Sequence, residues 1–415
     1  MTTLADEVGT ENPSGSANLF WRFWAASTVS NVGDAITTVA LPLTAVTVLH
    51  ASNFEVSALT AATFGAWVLI GLPAGVVVHR LPLRATQVAM DLLRAIALVS
   101  VPLAAWAGAL TIEQLIGVAL LVSLATVVFD VGNSTFLVNV VGKAELTRRN
   151  SLTSGTFAVT QIGGPSLGGV LVQLTGAAGA LLADTASYVI SAAVLSRLPR
   201  TDSGSADREV PVRQAIRDGW HYVMRHPVIR PCAAMAMSVN FVCGGFMALT
   251  PLFLVRTLHA PLGLVGVLMA TEGAGTLAGA AATTRLARRY GSARSLVLAS
   301  AFGSGLALLI PAATGGPGLV LFGVGNAGFA AGVVVLSVLT RTHRQETTPP
   351  QLLSRVMATV RFVSWGVVPL GALLAGGVAS AYGVRAAFWL FAALTLGVPV
   401  IARMSAVGRR RELAD

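Results

Sequence analysis

The chain has 415 residues, of which 28 are Lys or Arg and 18 are Asp or Glu, so charged residues make up 11%, against roughly 25% in an ordinary soluble domain. With 54% of the chain hydrophobic, 43 glycines and a mean hydropathy of +0.74, too little polar surface remains to cover a water-soluble fold of this length. The net charge of +10 does not point to nucleic acid, because the basic residues punctuate apolar runs instead of gathering with aromatics in one domain.

The first residues, Met1 to Ala17, are polar and acidic and lack a basic stretch ahead of an apolar core, so a disordered cytoplasmic tail is expected over 1–18 rather than a signal peptide. Apolar runs of about 20 residues can cross a bilayer as helices. They fall near 20–49, 56–78, 87–108, 113–139, 153–174 and 177–197, and again near 231–256, 262–284, 294–313, 317–340, 357–380 and 384–404. The expected fold is all-α: a polytopic membrane protein with twelve transmembrane helices in two six-helix bundles, 19–198 and 231–406, followed by a short tail, 407–415. Between the bundles, 199–230 turns polar and contains an amphipathic stretch, Val212 to Arg225, expected on the cytoplasmic surface with Trp220 and Tyr222 at headgroup level. Cys232 and Cys243 share one apolar run, read as small buried residues rather than a disulfide framework.

Basic residues test this topology. With the N-terminus cytoplasmic, every Lys and Arg except Arg256 and Arg385 falls on the cytoplasmic side, a bias that one miscounted early span would destroy.

The two halves are related in sequence. LPLTAVTVLHA at 41–51 and TPLFLVRTLHA at 250–260 share Pro42/Pro251, Leu43/Leu252, Val46/Val255, Leu49/Leu258, His50/His259 and Ala51/Ala260. The same offset relates Asn31 to Asn240; a slightly shorter one relates Gly71-x-x-x-Gly75 to Gly275-x-x-x-Gly279, Arg84 to Arg288 and Pro165 to Pro369. Two pseudo-symmetric bundles meeting at a seam are the architecture of a transporter that rocks around a midplane substrate. The paired G-x-x-x-G spacings allow close backbone approach, and their equivalence places them at that seam.

Over essentially its whole length the chain resembles the major facilitator superfamily. The loop Gly75-Val-Val-Val-His79-Arg80-Leu-Pro-Leu-Arg84 is similar to the signature G-x-x-x-D-[RK]-x-G-[RK]-[RK], matching at Gly75, Arg80 and Arg84, with His79 in place of the acid and Pro82 in place of the second glycine. In the family this loop latches the halves on the cytoplasmic side. The resemblance therefore implies a cytoplasmic gate in which Asp130 and the Asp91/Arg94 pair anchor Arg80 and Arg84, joined by Arg288 and Arg361. Gly164-Pro165-Ser-Leu-Gly168-Gly169 resembles the G-P-x-x-G-G element of drug:proton antiporters, and implies an exporter. Gly33-Asp34, Gly71-Leu-Pro-Ala-Gly75, Phe129-Asp130-Val131 and Arg361-Phe-Val-Ser-Trp365-Gly resemble the bacterial branch containing the enterobactin exporter and macrolide efflux proteins.

Carboxylates within the spans are costly unless they face a wet cavity or a partner. Asp34, midway along the first span with Asn31, Thr37 and Thr38 on its face, is the leading proton-coupling candidate; the alternative is a structural acid beside Asn31. Glu272 is the second candidate, with pairing to Arg361 as its structural alternative. Asp184 reads as a packing acid reached by Tyr188, and Asp130 as a gate anchor. His79 reads as a surface residue, or as a pH-sensitive element of the latch. Asn31, Asn133, Asn240, Asn326 and Trp365 are cavity candidates that suit an amphipathic substrate.

No G-x-x-x-x-G-K-[ST] or H-E-x-x-H occurs, so neither an ATP-driven pump nor a metalloprotease is expected. The expectation is proton-driven efflux from the bacterial cytoplasmic membrane, both termini cytoplasmic, by a monomer whose partners are a small molecule, protons and lipid, with no cofactor and no nucleic acid. One proton moved across 100 mV is worth about 2.3 kcal/mol, or roughly fifty-fold accumulation, which suffices for useful export. A facilitator or importer on the same scaffold, or a non-transporting membrane receptor, are the rival readings.

Overall fold

A computed structural model of the chain describes residues 13–71, 81–140, 146–198 and 212–413. The first half contains α1 (Pro13–Thr47), α2 (Asn53–Ile70), α3 (Leu83–Trp106), α4 (Ile112–Val140) and a helical stretch of 51 residues, Leu146–Ser196. At 1.5 Å per residue that stretch would measure about 76 Å, far more than one bilayer crossing needs. It breaks at Gly176, whose φ of 74° and ψ of 171° no helix accommodates. Gly164 packs on Ala35 while a methyl at Gly33 would overlap Asp184, so residues on either side of Gly176 stand at one depth and the chain has reversed. The segments 146–175 and 177–196 are therefore two spans, α5 and α6.

The amphipathic α7 (Val212–Arg225) follows, and then the second half. It comprises α8 (Ile229–Leu252), α9 (Leu262–Tyr290), α10 (Ser292–Ala307), α11 (Leu319–Thr347), the pair α12 (Pro350–Trp365) and α13 (Val368–Tyr382), and the pair α14 (Val384–Thr395) and α15 (Gly397–Met404). Among the described residues 11 helices are long and apolar enough to cross a membrane, one of them containing the Gly176 reversal. The chain is thus an all-helical membrane protein of twelve spans, and the even number brings the start of α1 and the end of α15 to the same end of the bundle.

The repeat is visible in the backbone. His50 and His259 hold φ of 50° and 53°, a left-handed conformation that few non-glycine residues adopt. The same two bonds close each turn: Leu49 N–H to Thr44 O and Ala51 N–H to Ala45 O after α1, Leu258 N–H to Phe253 O and Ala260 N–H to Leu254 O after α8. At the start of α2, Ser52 and Glu55 cap one another through a reciprocal box, which fixes where the second span begins.

Small residues set the packing inside each half. Gly164 meets Ala35, and Gly168 meets Ile36 and Val39, so the Gly-Pro element of α5 lies along α1, with Gly169 buried beside it and Pro165 within the helix. Gly275 and Gly279 approach the backbone of Ala327 and Ala331 in α11. This corrects the seam expectation for the second G-x-x-x-G: its small face brings two helices of one half together. Gly75 of the first lies outside the described residues.

The seam is made by other groups. At the end away from the termini, Asn53 Nδ2 donates to Ala379 O at 3.0 Å, Gly376 lies against Ser57, and Arg256 Nη2 donates to Val46 O at 3.5 Å. Ala61, Ala248 and Ala372 form a small buried cluster where α2, α8 and α13 meet. Helix α7 docks on α12 through an Asp218–Arg355 ion pair of 2.9 Å and Val223 packed with Val356 and Val360, and on the end of α11 through a Tyr222 hydroxyl donating to Thr347 O. Tyr222 is therefore anchored in protein rather than at a lipid headgroup, whereas Trp220 is exposed.

Candidate functional site

The charged residues of α1, α3 and α6 converge deep in the first half. Arg94 lies about 16 Å along the axis of α3 from Leu83, and it is fully buried. Its Nη2 bonds the equally buried Asp91 one turn earlier, and its Nη1 stands 3.7 Å from Asp34 Oδ1 of α1. The guanidinium is sandwiched between two rings, with Cζ 4.3 Å from the centroid of Phe129 and 4.4 Å from that of Tyr188. Tyr188 also donates its hydroxyl to Asp34 Oδ1 at 2.5 Å. Beside this pair, Asp184 accepts from Thr37 at 2.5 Å and from Ser187 at 2.8 Å.

Gly33 makes the arrangement possible. A methyl there would overlap both the Asp184 carboxylate and the Ser187 hydroxyl, so only glycine lets α6 come close enough for Tyr188 and Thr37 to reach across. Thr38 turns to its own helix, donating to the Asp34 carbonyl at 2.9 Å.

The cluster gathers three carboxylates, Asp34, Asp91 and Asp184, around one guanidinium. Asp34 is the one acid of the three with an accessible side chain, 33% exposed, whereas Asp91, Asp184 and Arg94 are fully buried. From there the charge continues towards the other half. Asp130 of α4 interacts electrostatically with Asp34, with Arg94 and with Arg361 of α12. Arg361 lies over the Trp67 ring at 4.3 Å, and Trp365 stands 6.2 Å from Phe64 and 6.5 Å from Trp67. A chain of charged and aromatic groups thus joins the buried cluster to the α2–α12 contact between the halves.

Several expectations are corrected by this placement. Asp91 and Arg94 belong to the buried cluster and not to a gate at the membrane surface, because α3 begins at Leu83 and carries them into its middle. Arg84 donates to Leu198 O at 2.7 Å, closing the end of α6, instead of meeting Asp91. Tyr188 serves Asp34 rather than Asp184. Arg361 faces Asp130 and Trp67 instead of Glu272, which is exposed and in electrostatic reach of Cys243 of α8. Arg288 is exposed at the end of α9.

Among the cavity candidates, Asn31 is half-buried on α1, Asn240 donates to Ala236 O of its own helix at 2.8 Å, and Asn326 donates to Thr271 Oγ1 at 3.1 Å. Gly75, His79, Arg80 and the side chain of Asn133 lie outside the described residues.

Arg94 and Tyr188 are the residues whose roles the sequence reading missed. A signal was present: the apolar run resumes at Leu83, so a helix started there places Arg94 at mid-depth, where an unpaired arginine is untenable.

Twelve spans in two related halves, with buried charge leading to the seam between them, define a secondary transporter of the major facilitator superfamily rather than an enzyme. The chain belongs within it to the family described as "Transmembrane secretion effector", which it matches over residues 14–413. It is 27% identical over 389 residues to the multidrug efflux pump Tap of Mycolicibacterium fortuitum, covering 91% of each chain. It is 28% identical over 321 residues to the uncharacterized MFS-type transporter y4rN of Sinorhizobium fredii, covering 77% of this chain and 78% of that one. In fold it is similar to the nucleoside transporter NupG, with a TM-score of 0.79 at 13% identity over 93% of this chain and 99% of that one. A bacterial homologue of the iron transporter ferroportin gives 0.73 at 15% identity, over 94% and 98%.

Proposed function

We propose that this transporter exports small amphipathic molecules by alternating access in exchange for protons, with Asp34 as the carboxylate that takes up and releases the proton. The observation that carries the reading is the position of Asp34, the one partly exposed acid of the cluster, bound to Tyr188 and facing Arg94. Three carboxylates around one arginine hold an excess of negative charge where little water screens it, and a proton on Asp34 offsets part of that excess. With Asp34 neutral, Arg94 is released towards Asp130, which then holds Arg361 less strongly. That exchange of partners links proton binding to the contact between the halves.

Export is supported by the Gly164-Pro165 element on α1 and by similarity to an efflux pump. The acids Asp34 and Asp130, linked through Arg361 to Trp67 and Trp365, suit an amphipathic substrate carrying positive charge. The distribution of basic residues supports a cytoplasmic location for both termini in the cell membrane. The reading needs one subunit, no cofactor and no nucleic acid.

The test is efflux from energised cells and counterflow in proteoliposomes, using a substrate found by a susceptibility and metabolite-export screen of a deletion strain. Efflux collapsed by a protonophore and lost in Asp34→Asn, with counterflow retained, supports antiport. Efflux indifferent to both supports a facilitator.

A further inference from the structure

A second charged cluster lies at the termini-bearing end of the other half, where α7, the start of α8, the end of α11 and the C-terminal turn meet. His343 is 4% exposed, and neither ring nitrogen has a hydrogen-bond partner among the described residues. Its neighbour Arg344 is 8% exposed with Nε and Nη1 unpartnered, and the hydroxyl of Thr348, one turn on and 5% exposed, is unpartnered as well. His226 meets His343 edge-on, with 5.9 Å between ring centroids. Its Nδ1 accepts from the N–H groups of Val228 and Ile229 at 3.2 and 3.1 Å, so Nε2 is the nitrogen left to act as a donor.

Further positive charge surrounds the group. Arg410 of the C-terminal turn acts electrostatically on both imidazoles, and Arg341 acts on Arg344. Alongside His226 opens a cavity of about 310 Å³ lined by Met224, Arg225, His226, Arg230, Pro231 and Ser405, among others. Among the described residues no carboxylate lies within ion-pairing distance of Arg344, Arg230 or Arg410.

A guanidinium nine-tenths buried, with two of its three nitrogens lacking an acceptor and no carboxylate in ion-pairing reach among the described residues, is an unfavourable arrangement for a fold to hold. Buried polar atoms are almost always satisfied, so several orphans side by side point to a ligand that supplies what they lack. They are the Arg344 N–H groups, the Thr348 hydroxyl and the His343 ring at the end of α11, the last of these against His226, and clustered oxygens bearing negative charge would supply the acceptors they lack. A tetrahedral phosphate meets arginine and imidazole donors in that way. The cavity beside it has apolar walls at Met224 and Pro231 and a basic rim at Arg225 and Arg230, the pattern of a headgroup pocket at a membrane interface.

From this geometry we infer that the cluster of His226, His343, Arg344 and Arg410, with the adjoining cavity, binds a phosphate-bearing anion, either the headgroup of an acidic phospholipid or free phosphate. The bound anion ties α7 and the C-terminal turn to α8 and α11, bracing the linker against the second half.

The test uses the full-length protein, purified and delipidated in detergent. Native mass spectrometry and thermal unfolding are followed on adding phosphatidylglycerol, phosphatidylcholine, inorganic phosphate or chloride. The expected result is a one-to-one complex and a raised melting temperature with phosphatidylglycerol but not phosphatidylcholine if the ligand is a lipid, or with phosphate but not chloride if it is the free anion. Arg344→Gln is expected to lower the affinity at least tenfold. Because Arg344 is buried, Arg230→Gln and Arg225→Gln on the exposed rim serve as variants that fold, with a weaker loss expected in each and a tenfold loss in the double variant. The inference is overturned if neither phosphatidylglycerol nor phosphate is preferred over its control, or if the rim variants bind as the parent does.

Discussion

Replacing Arg94 with methionine tests the buried cluster as a unit. Methionine keeps most of the volume but leaves Asp91 fully buried without its partner and removes the cation facing Asp34. At 3.7 Å and an effective dielectric of about 20, the Asp34 interaction alone is about 4.5 kcal/mol, and less in practice because that side chain is 33% exposed. Removing one partner of a buried pair costs about 3–5 kcal/mol, and the loss of two cation–π contacts adds to it. Taking the first six-helix half, which contains the whole cluster, as the unit that unfolds, the conversion is about 2–4 °C per kcal/mol and the melting temperature of Arg94→Met should fall by roughly 6–20 °C. The double variant Arg94→Met/Asp91→Leu should recover much of that loss, since an apolar pair of similar volume replaces a buried ion pair at little cost. Thermal unfolding of the detergent-solubilised protein, followed by tryptophan fluorescence, gives both numbers. A single variant within about 3 °C of the parent, or a double variant no better than the single, refutes the argument that Arg94 neutralises this cluster.

Gly33→Ala should cost about 1–3 kcal/mol and lower transport, because the added methyl pushes α6 from α1 and parts Thr37 from Asp184; a melting temperature equal to the parent's would show that the helices are not in close contact. Burial and the nearby Arg410 hold the pKa of His226 below its usual 6.5, so its neutral ring caps α8, a contribution complete above pH 6.5 and lost as pH falls through the lowered value. Amide exchange at Val228 and Ile229 should therefore quicken on acidification in the parent and stay level in His226→Asn, whose side chain caps without titrating; equal pH dependence in both excludes the cap. Arg361→Gln should alter transport while leaving the melting temperature within about 2 °C, since this half-exposed contact joins the halves instead of building either.

The twelve spans, the α7 boundaries and the equivalence of His50 with His259 were legible in the sequence because each rests on local pattern: apolar run length, amphipathic period, or a repeated string. The candidate site was legible only in part. Asp34 stands out as an acid in an apolar run, but its bond to Tyr188 spans 154 residues and depends on which faces of α1 and α6 meet. Arg94 was misplaced because a charge near the start of a run reads as a loop residue, whereas its neutralisation by Asp91 and Asp34 lets the helix carry it inward. The G-x-x-x-G of α9 states that some backbone comes close without saying which one, and the partner is α11 of the same half.

Coupling of proton movement to export through Asp34 is what the proposed mechanism stands on. It is tested most directly with inverted membrane vesicles, on whichever compound the screen shows to be exported, by imposing a pH gradient and following uptake in the parent and in Asp34→Asn. The expected result is uptake in the parent that a protonophore abolishes, none above background in Asp34→Asn, and substrate counterflow in both. Gradient-driven uptake by Asp34→Asn equal to that of the parent would contradict it.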